Sequence, residues 1–301
     1  MKDLVIAAGN VGSTANVVEV ECKQFLFPGG EVGIKIDTNN HRFVADFQSL
    51  GGSVYSRIKS SEDFMKLVMV RDALYRICNH AQVELFLAYV PYGRQDRICD
   101  GGEAFSLKAF AGILNSLGFK RVYTFDPHSS VTEALIQRVK VVDLKTIFRG
   151  SRELYQRAFT GVTLVSPDAG ANKKVSDLAA SLGHPEFIRA DKLRDLTNGK
   201  IKEMIVYADD LEKKDIMIVD DICDGGATFI ALAQELKKKN AGRVILYVTH
   251  GIFSKGVQVL LENGIDEIWT TDSYQDFPED FVKTYGLSVV ELSKHNSILS
   301  A

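Results

Sequence analysis

Residues 214–228 read KDIMIVDDICDGGAT, and the fold class of the chain is decided there. Ile216, Met217, Ile218 and Val219 form a short apolar, partly β-branched run, the pattern of a buried strand. Asp220 and Asp221 stand where that run ends. Asp224 then opens a small-residue turn, Gly225, Gly226, Ala227 and Thr228, and FIALAQELKKK continues with helical spacing. In an open α/β sheet, the carboxyl end of a strand is where ligands bind. Amide hydrogens of a glycine turn entering a helix converge on a phosphate, assisted by the helix dipole. Carboxylates beside such a turn repel phosphate; they suit ribose hydroxyls, or a divalent cation. The stretch therefore proposes a sugar phosphate, with hydroxyls on the acids and phosphate on the turn. The plainer alternative is a strand-turn-helix junction whose acids only cap the helix.

A chain of 301 residues has room for two domains of ordinary size. With 46% hydrophobic and 25% charged residues, it has the composition of a soluble globular protein with ample core. A net charge of −3 with scattered Lys and Arg gives no basic field, which excludes nucleic acid as an expected partner. Cys22, Cys78, Cys99 and Cys223 lie far apart without CxxC spacing and read as reduced thiols, not a zinc site or disulfide frame. The start, MKDLVIAAGN, has too brief an apolar run for a signal peptide, and no segment has the length and apolarity to span a bilayer. The expected location is the cytoplasm, without membrane association.

Outward from residues 214–228, strand-like runs recur: LVIAA, EVGIKI, RFVADF, ELFLAYV, RVYTFD, GVTLVS, EMIVYA, DIMIVD, RVILYVTH and EIWTTD. Helical stretches such as FMKLVMVRDALYRICNH and SLKAFAGILNSLG separate many of them. This alternation predicts α/β architecture with largely parallel sheets. It occurs twice, which places a junction near residues 144–152 and predicts two similar domains, 1–146 and 147–301.

In the first half, FPGGEV (residues 27–32) reads as a tight turn or hairpin leading into an alternating strand. Further on, ELFLAYVPYGRQDR delivers Arg94, Gln95 and Arg97 at a strand's carboxyl end. Forked guanidinium donors suit phosphate and stack on a base, which fits a nucleotide; a solvated loop with local ion pairs is the alternative.

These segments resemble the ribose-phosphate pyrophosphokinases, the PRPP synthetases. PYGRQDR is similar to that family's (Y/F)xRQDR, GEAFSLKAF to GEPISxK, FPGGEV to F(S/P)DGEV, and TFDPHSS to its D(L/P)H segment. SPDAGANKK resembles PDxGxxKR, ADKLR resembles DKxR, and VDDICDGGAT resembles the ribose-5-phosphate loop VDDxxxTGGT of type I phosphoribosyltransferase folds. With THGIFSKG, the motifs follow the family's order across nearly the whole chain. The resemblance implies two type I phosphoribosyltransferase-like domains, each a mostly parallel sheet flanked by helices. It implies an ATP site from Phe27, Glu31, Arg94, Gln95 and Arg97, with His128 and Asp168 near Mg2+. Histidine is a soft neighbour for that ion, which argues for contact through water. Lys192 and Arg194 occupy the family's mobile catalytic segment, and Lys173 and Lys174 lie toward the pyrophosphate. Asp220, Asp221, Asp224, Gly225, Gly226, Ala227 and Thr228 would take ribose 5-phosphate.

The reaction so implied converts ATP and ribose 5-phosphate to AMP and PRPP, catalysed by in-line positioning, Mg2+ and cations. Three departures from the pattern stand out. Gly29 replaces an Asp expected at the adenine amino group, Gly225 replaces a Thr, and Ala227 replaces a Gly. A reshaped phosphate pocket raises ADP-ribose as an alternative acceptor. Two further alternatives are a non-catalytic regulatory homologue and a base-transferring phosphoribosyltransferase. The retained Lys192, Arg194, His128 and acids speak against the first, and RQDR and the doubled architecture against the second. The ending LSVVELSKHNSILSA lacks the family's SxSALF-like tail, so phosphate and ADP regulation is expected to be absent or altered. The resemblance also implies a homodimer or homohexamer.

Overall fold

Ile216, Met217, Ile218 and Val219 are all fully buried, but they serve two different cores. Side chains alternate across a strand, so Ile216 and Ile218 pack into one apolar cluster while Met217 and Val219 pack into another on the opposite face. A strand buried on both faces must sit inside a sheet covered by helices on both sides. The structure is a computed structural model that describes residues 3–9, 17–184, 186–194 and 201–292, with backbone alone at 194 and 201. The chain divides between Val142 and Asp143 into two compact units.

In the first unit the elements run β1 (Leu4–Ala8), β2 (Val18–Val20), β3 (Cys22–Leu26), β4 (Val32–Ile36), α1 (His41–Leu50), β5 (Gly52–Ser56) and α2 (Ser61–Ile77). They continue with β6 (Val83–Leu87), α3 (Ser106–Ser116), β7 (Arg121–Phe125), α4 (Val131–Leu135) and β8 (Val139–Val142). The sheet order is β2-β1-β5-β6-β7-β8. Strands β5 to β8 are parallel, and β1 is antiparallel to both neighbours. Strands β3 and β4 form a separate antiparallel hairpin.

RFVADF, expected as a strand, is helix α1. Phe43 and Phe47 stand four apart, both are fully buried, and their rings stack at 5.6 Å. The side chain of Asn40 accepts a hydrogen bond from the Phe43 amide, capping the helix start. That cap and the four-residue spacing outweigh the β-propensity of Phe and Val in a short window.

The second unit runs α5 (Leu144–Gly150), α6 (Arg152–Phe159), β9 (Val162–Ser166), α7 (Asn172–Ser181), β10 (Ile188–Arg194), β11 (Ile201–Val206), β12 (Asp215–Cys223) and α8 (Ala227–Lys238). Then come β13 (Val244–Gly251), α9 (Gln258–Leu261), β14 (Glu267–Thr271), α10 (Glu279–Tyr285) and β15 (Leu287–Val290). The sheet order is β11-β10-β9-β12-β13-β14-β15, with only the β10–β11 pair antiparallel. The chain order reverses at β9, whose neighbours are β10 and β12. That is the switch point at which open α/β sheets bind ligands. Helix α7 and β12's Met217 and Val219 share one cluster; α8 and β12's Ile216 and Ile218 share the other.

Two details differ from the sequence reading. β12 does not end before the acids but carries on through Asp220 and Asp221 to Cys223, because Ile222 and Cys223 keep pairing with His250 and Gly251 of β13. Helix α8 begins at Ala227, so Ala227 and Thr228 form its first turn instead of the turn before it. The polar stretch at 195–200 and the ending from residue 293 lie outside the described residues. Among the described residues, no helix is long and apolar enough to cross a membrane.

Candidate active site

In the second unit, the carboxyl ends of β9, β12 and β13 lie side by side, and each contributes polar groups. After β9, Asp168 accepts a hydrogen bond from Lys192 Nζ at 2.5 Å and another from the Ala171 amide at 3.2 Å. Lys192 comes from β10, which pairs with β9 through Ile188 and Arg189. Burial by itself would raise the Asp168 carboxyl. The Lys192 hydrogen bond and charge, with the Ala171 and Gly170 amides, outweigh it and hold the carboxyl below its ordinary value. Arg194 closes the same strand, and its side chain lies outside the described residues.

On β12, Asp221 is buried and faces Lys174 of α7, with Nζ to Oδ2 at 3.6 Å. The Asp221 amide donates to Asp220 Oδ1, and the Ile222 amide donates to Asp221 Oδ1. Burial, and next the charge and hydrogen bonding of Asp221, push the Asp220 carboxyl well above its ordinary value; Lys174 opposes this only in part. Two crowded carboxylates with that bias favour a ligand that brings hydroxyl donors or a cation. Beyond them, Asp224 Oδ1 accepts from Ser254 Oγ at 2.6 Å, and its carbonyl accepts from the Ser254 amide at 3.2 Å. Cys223, set among these acids, is buried, and burial with the charges of Asp220 and Asp224 pushes its thiol up to about 12. It is a packing residue and not a nucleophile.

The turn delivers α8 in the way an anion requires. Gly226 is the residue before the helix, with φ of 77°, and no side chain caps the helix start. The first amides of α8 are therefore left open to an incoming acceptor.

In the first unit, the loop after β6 and the loop after β7 meet. A methyl placed on Gly93 would sit 3.6 Å from Cβ of His128. Arg97 donates to both oxygens of its neighbour Asp96, at 2.7 and 3.1 Å. That hydrogen bond lowers the Asp96 carboxyl to about 2 against the opposing effect of burial; Ser129 and the charges of Arg97 and His128 assist. The loop is fixed by the Gln95 amide donating to the Tyr92 carbonyl, and by the Gln95 carbonyl accepting from the Leu107 amide at the start of α3. Arg94, Gln95, Arg97 and His128 are all exposed. Phe27 and Glu31 lie elsewhere, at the tip of the β3–β4 hairpin, where the Phe27 amide donates to the Glu31 carbonyl at 2.9 Å. Phe27 is 50% exposed, its ring edge-on to Phe25.

Among the described residues, no three His, Cys, Asp or Glu side chains converge to hold a metal. The second unit's donors, Asp168 and the acids of β12 and its turn, are all oxygen. That set fits magnesium, which takes one or two carboxylates and completes its shell with water and substrate phosphates. Sequence reasoning gave no role to two groups that the structure engages. Asp96 lies within RQDR beside its partner Arg97, and Ser254 lies within THGIFSKG, where its pairing with Asp224 depends on the assembled strands. Lys174 was placed toward pyrophosphate, and its pairing with Asp221 was not foreseen.

A parallel sheet with an acid-and-glycine turn at its switch point defines a phosphoribosyltransferase-type fold, and residues 140–281 match the model of the phosphoribosyl transferase domain. The crystal structure of phosphoribosylpyrophosphate synthetase from Mycobacterium smegmatis superposes with a TM-score of 0.70 at 21% identity, covering 93% of this chain and 89% of that one. The ribose-phosphate pyrophosphokinase of Mycoplasmopsis pulmonis is 30% identical over 237 residues, 78% of this chain and 72% of that protein. That of Hyphomonas neptunium is 30% identical over 241 residues, 78% of this chain and 74% of that protein. The chain belongs to the ribose-phosphate pyrophosphokinase family, and is thus an enzyme of the diphosphotransferase class.

Proposed function

We propose that the protein transfers the β,γ-diphosphoryl group of ATP to the C1 hydroxyl of ribose 5-phosphate, giving PRPP and AMP. The C1 oxygen forms a bond to the β-phosphorus, the bond from that phosphorus to the α,β-bridging oxygen breaks, and AMP leaves with that oxygen. The hydroxyl proton passes to solvent. The observation that carries the reading is the crowded pair Asp220–Asp221 beside an uncapped helix start, which supports a ligand with hydroxyls at one end and an anion at the other.

In this reading Asp220, Asp221 and Asp224 accept from the ribose hydroxyls, and the amides of Gly225, Gly226, Ala227 and Thr228 take the 5-phosphate. Phe27, Glu31, Arg94, Gln95 and Arg97 of the N-terminal domain hold the nucleotide. Asp168 and His128 are each read as metal neighbours, His128 through water. Bound magnesium would supply charge neutralisation on the phosphate oxygens and help lower the pKa of the attacking hydroxyl. Lys192 and Arg194 neutralise charge on the transferring and leaving oxygens, Lys192 exchanging its bond to Asp168 for one to phosphate. The same proposal includes assembly as a homodimer or homohexamer, which sedimentation measures.

ADP-ribose is the second acceptor to consider. It is favoured by Gly225, which brings no side chain to the turn, while the added methyl of Ala227 argues the other way. The test is incubation with ATP, Mg2+ and each acceptor, with products separated by anion exchange. Equal amounts of AMP and a pyrophosphorylated acceptor are expected, and the preferred acceptor identifies the substrate. Formation of ADP, or no nucleotide turnover with either acceptor, would overturn the assignment.

A further inference from the structure

Residues 252–256, which follow β13, are fastened to the acidic turn from several sides. The amides of Ile252 and Phe253 both donate to the Cys223 carbonyl, at 2.9 and 3.0 Å. Ser254 holds Asp224 through its amide and its hydroxyl. Gln275 Nε2 donates to the carbonyls of Gly251 and Ile252 at 3.0 and 3.1 Å. The Phe253 ring is buried and lies edge-on to Phe277. With the backbone fixed at so many points, the direction in which its exposed side chains leave is fixed as well.

Lys255 is one of those exposed residues, and its stem runs past Gly225. A methyl built on Gly225 would lie 3.5 Å from Cε and 3.7 Å from Cδ of Lys255, with Ser254 Oγ next at 3.9 Å. Gly225 contributes no side chain to the turn, so the lysine borders the space that a side chain there would enter. Among the described residues, Lys192 is engaged with Asp168 and Lys174 with Asp221. Lys255 makes no ion pair among the described residues.

A phosphate on this turn has an electrostatic difficulty. The amides and dipole of α8 attract it, but Asp220, Asp221 and Asp224 stand within the same few residues and repel it. A cation beside the turn would tip the balance. We propose that Lys255 supplies this charge and binds the acceptor's phosphate over Gly225, as a specificity-determining residue for phosphorylated acceptors. The inference rests on the reading that residues 224–228 form the acceptor site.

The test compares Lys255→Met, Lys255→Arg and Asp224→Asn by steady-state kinetics with ATP and ribose 5-phosphate, at two ionic strengths. Methionine keeps an unbranched stem beside Gly225 and removes only the charge. Loss of one charged hydrogen bond predicts a rise of about tenfold or more in the acceptor KM for Lys255→Met, with the ATP KM unchanged. Lys255→Arg should restore most of the affinity. Salt should raise the wild-type acceptor KM more steeply than that of Lys255→Met, a readout that a packing role would not move. An acceptor KM for Lys255→Met within twofold of wild type, while Asp224→Asn raises it, would overturn the role of Lys255 alone. If neither variant moves the acceptor KM, the acceptor site itself has been misplaced and both readings fall.

Discussion

Gly225 and Gly226 are adjacent, but alanine at the two positions should have opposite consequences. At Gly226 the backbone has φ of 77°. Holding a residue with a Cβ in the left-handed region costs about 1–2 kcal/mol. The new methyl would also stand 2.7 Å from Cδ2 of Leu260, a residue 1% exposed within the core cluster on the α8 face. Leucine can swing its end partly aside, so this crowding falls at the low end of the roughly 1–3 kcal/mol typical of overpacking. The two effects predict a loss of about 3 kcal/mol, or a fall in Tm of roughly 6–12 °C for a unit of this size. At Gly225 the added methyl meets only Lys255 and Ser254, no closer than 3.5 Å, and the backbone is not left-handed. There the reduced freedom of the unfolded chain should stabilise by about 0.4–1 kcal/mol. Thermal melts of the full chain, following the transition of the second unit, measure both. Equal destabilisation by the two substitutions, or a neutral Gly226→Ala, would refute the turn geometry from which the anion site is argued.

Asp220→Asn removes a carboxyl whose charge is disfavoured by burial and by Asp221, so it should raise Tm at pH 7 and above while weakening the acceptor KM at least about tenfold. The sign follows from linkage: a raised carboxyl adds stability below its ordinary pKa and loses it as pH rises through the folded value. The Tm gain of Asp220→Asn should therefore shrink toward acid pH. Asp96 has the reverse sign. Its carboxyl is lowered from 3.8 to about 2, so its pairing with Arg97 contributes fully above the ordinary value and is lost as pH falls through about 2. Urea titrations of wild type and Asp96→Asn should differ by a constant amount from pH 5 to 8, begin to approach one another below about pH 4, and meet only near pH 2. Lys192→Ala should lower kcat by about a hundredfold or more with substrate KM values within a fewfold, as expected for a cation whose strongest contact forms in the transition state. Wild-type turnover in that variant would remove Lys192 from the chemistry.

Much of the fold was legible because its signals are local. The doubled alternation of strand and helix, the acid-glycine turn and the helix after it can each be read from a few consecutive residues. Where local signals compete, the reading failed. RFVADF carries strand-like residues, yet the Asn40 cap and the burial of Phe43 and Phe47 on one face make it a helix. The apolar run of β12 stops at Val219, but the strand extends to Cys223, because its end is set by pairing with β13 and not by its own hydrophobicity.

The sequence by itself determined which residue types the chain offers its ligands: acids and glycines at 220–228, cations at 94, 97 and 192, a histidine at 128. Tertiary structure alone decided which of them meet. Lys192 reaches Asp168 across 24 residues, and Ser254 reaches Asp224 across 30. Lys174 faces Asp221, and Lys255 lies along Gly225. The physical reason is that periodicity reports which face of an element is buried, whereas neighbours are fixed by strand order. In the sheet β10-β9-β12-β13, that order departs from the order of the chain.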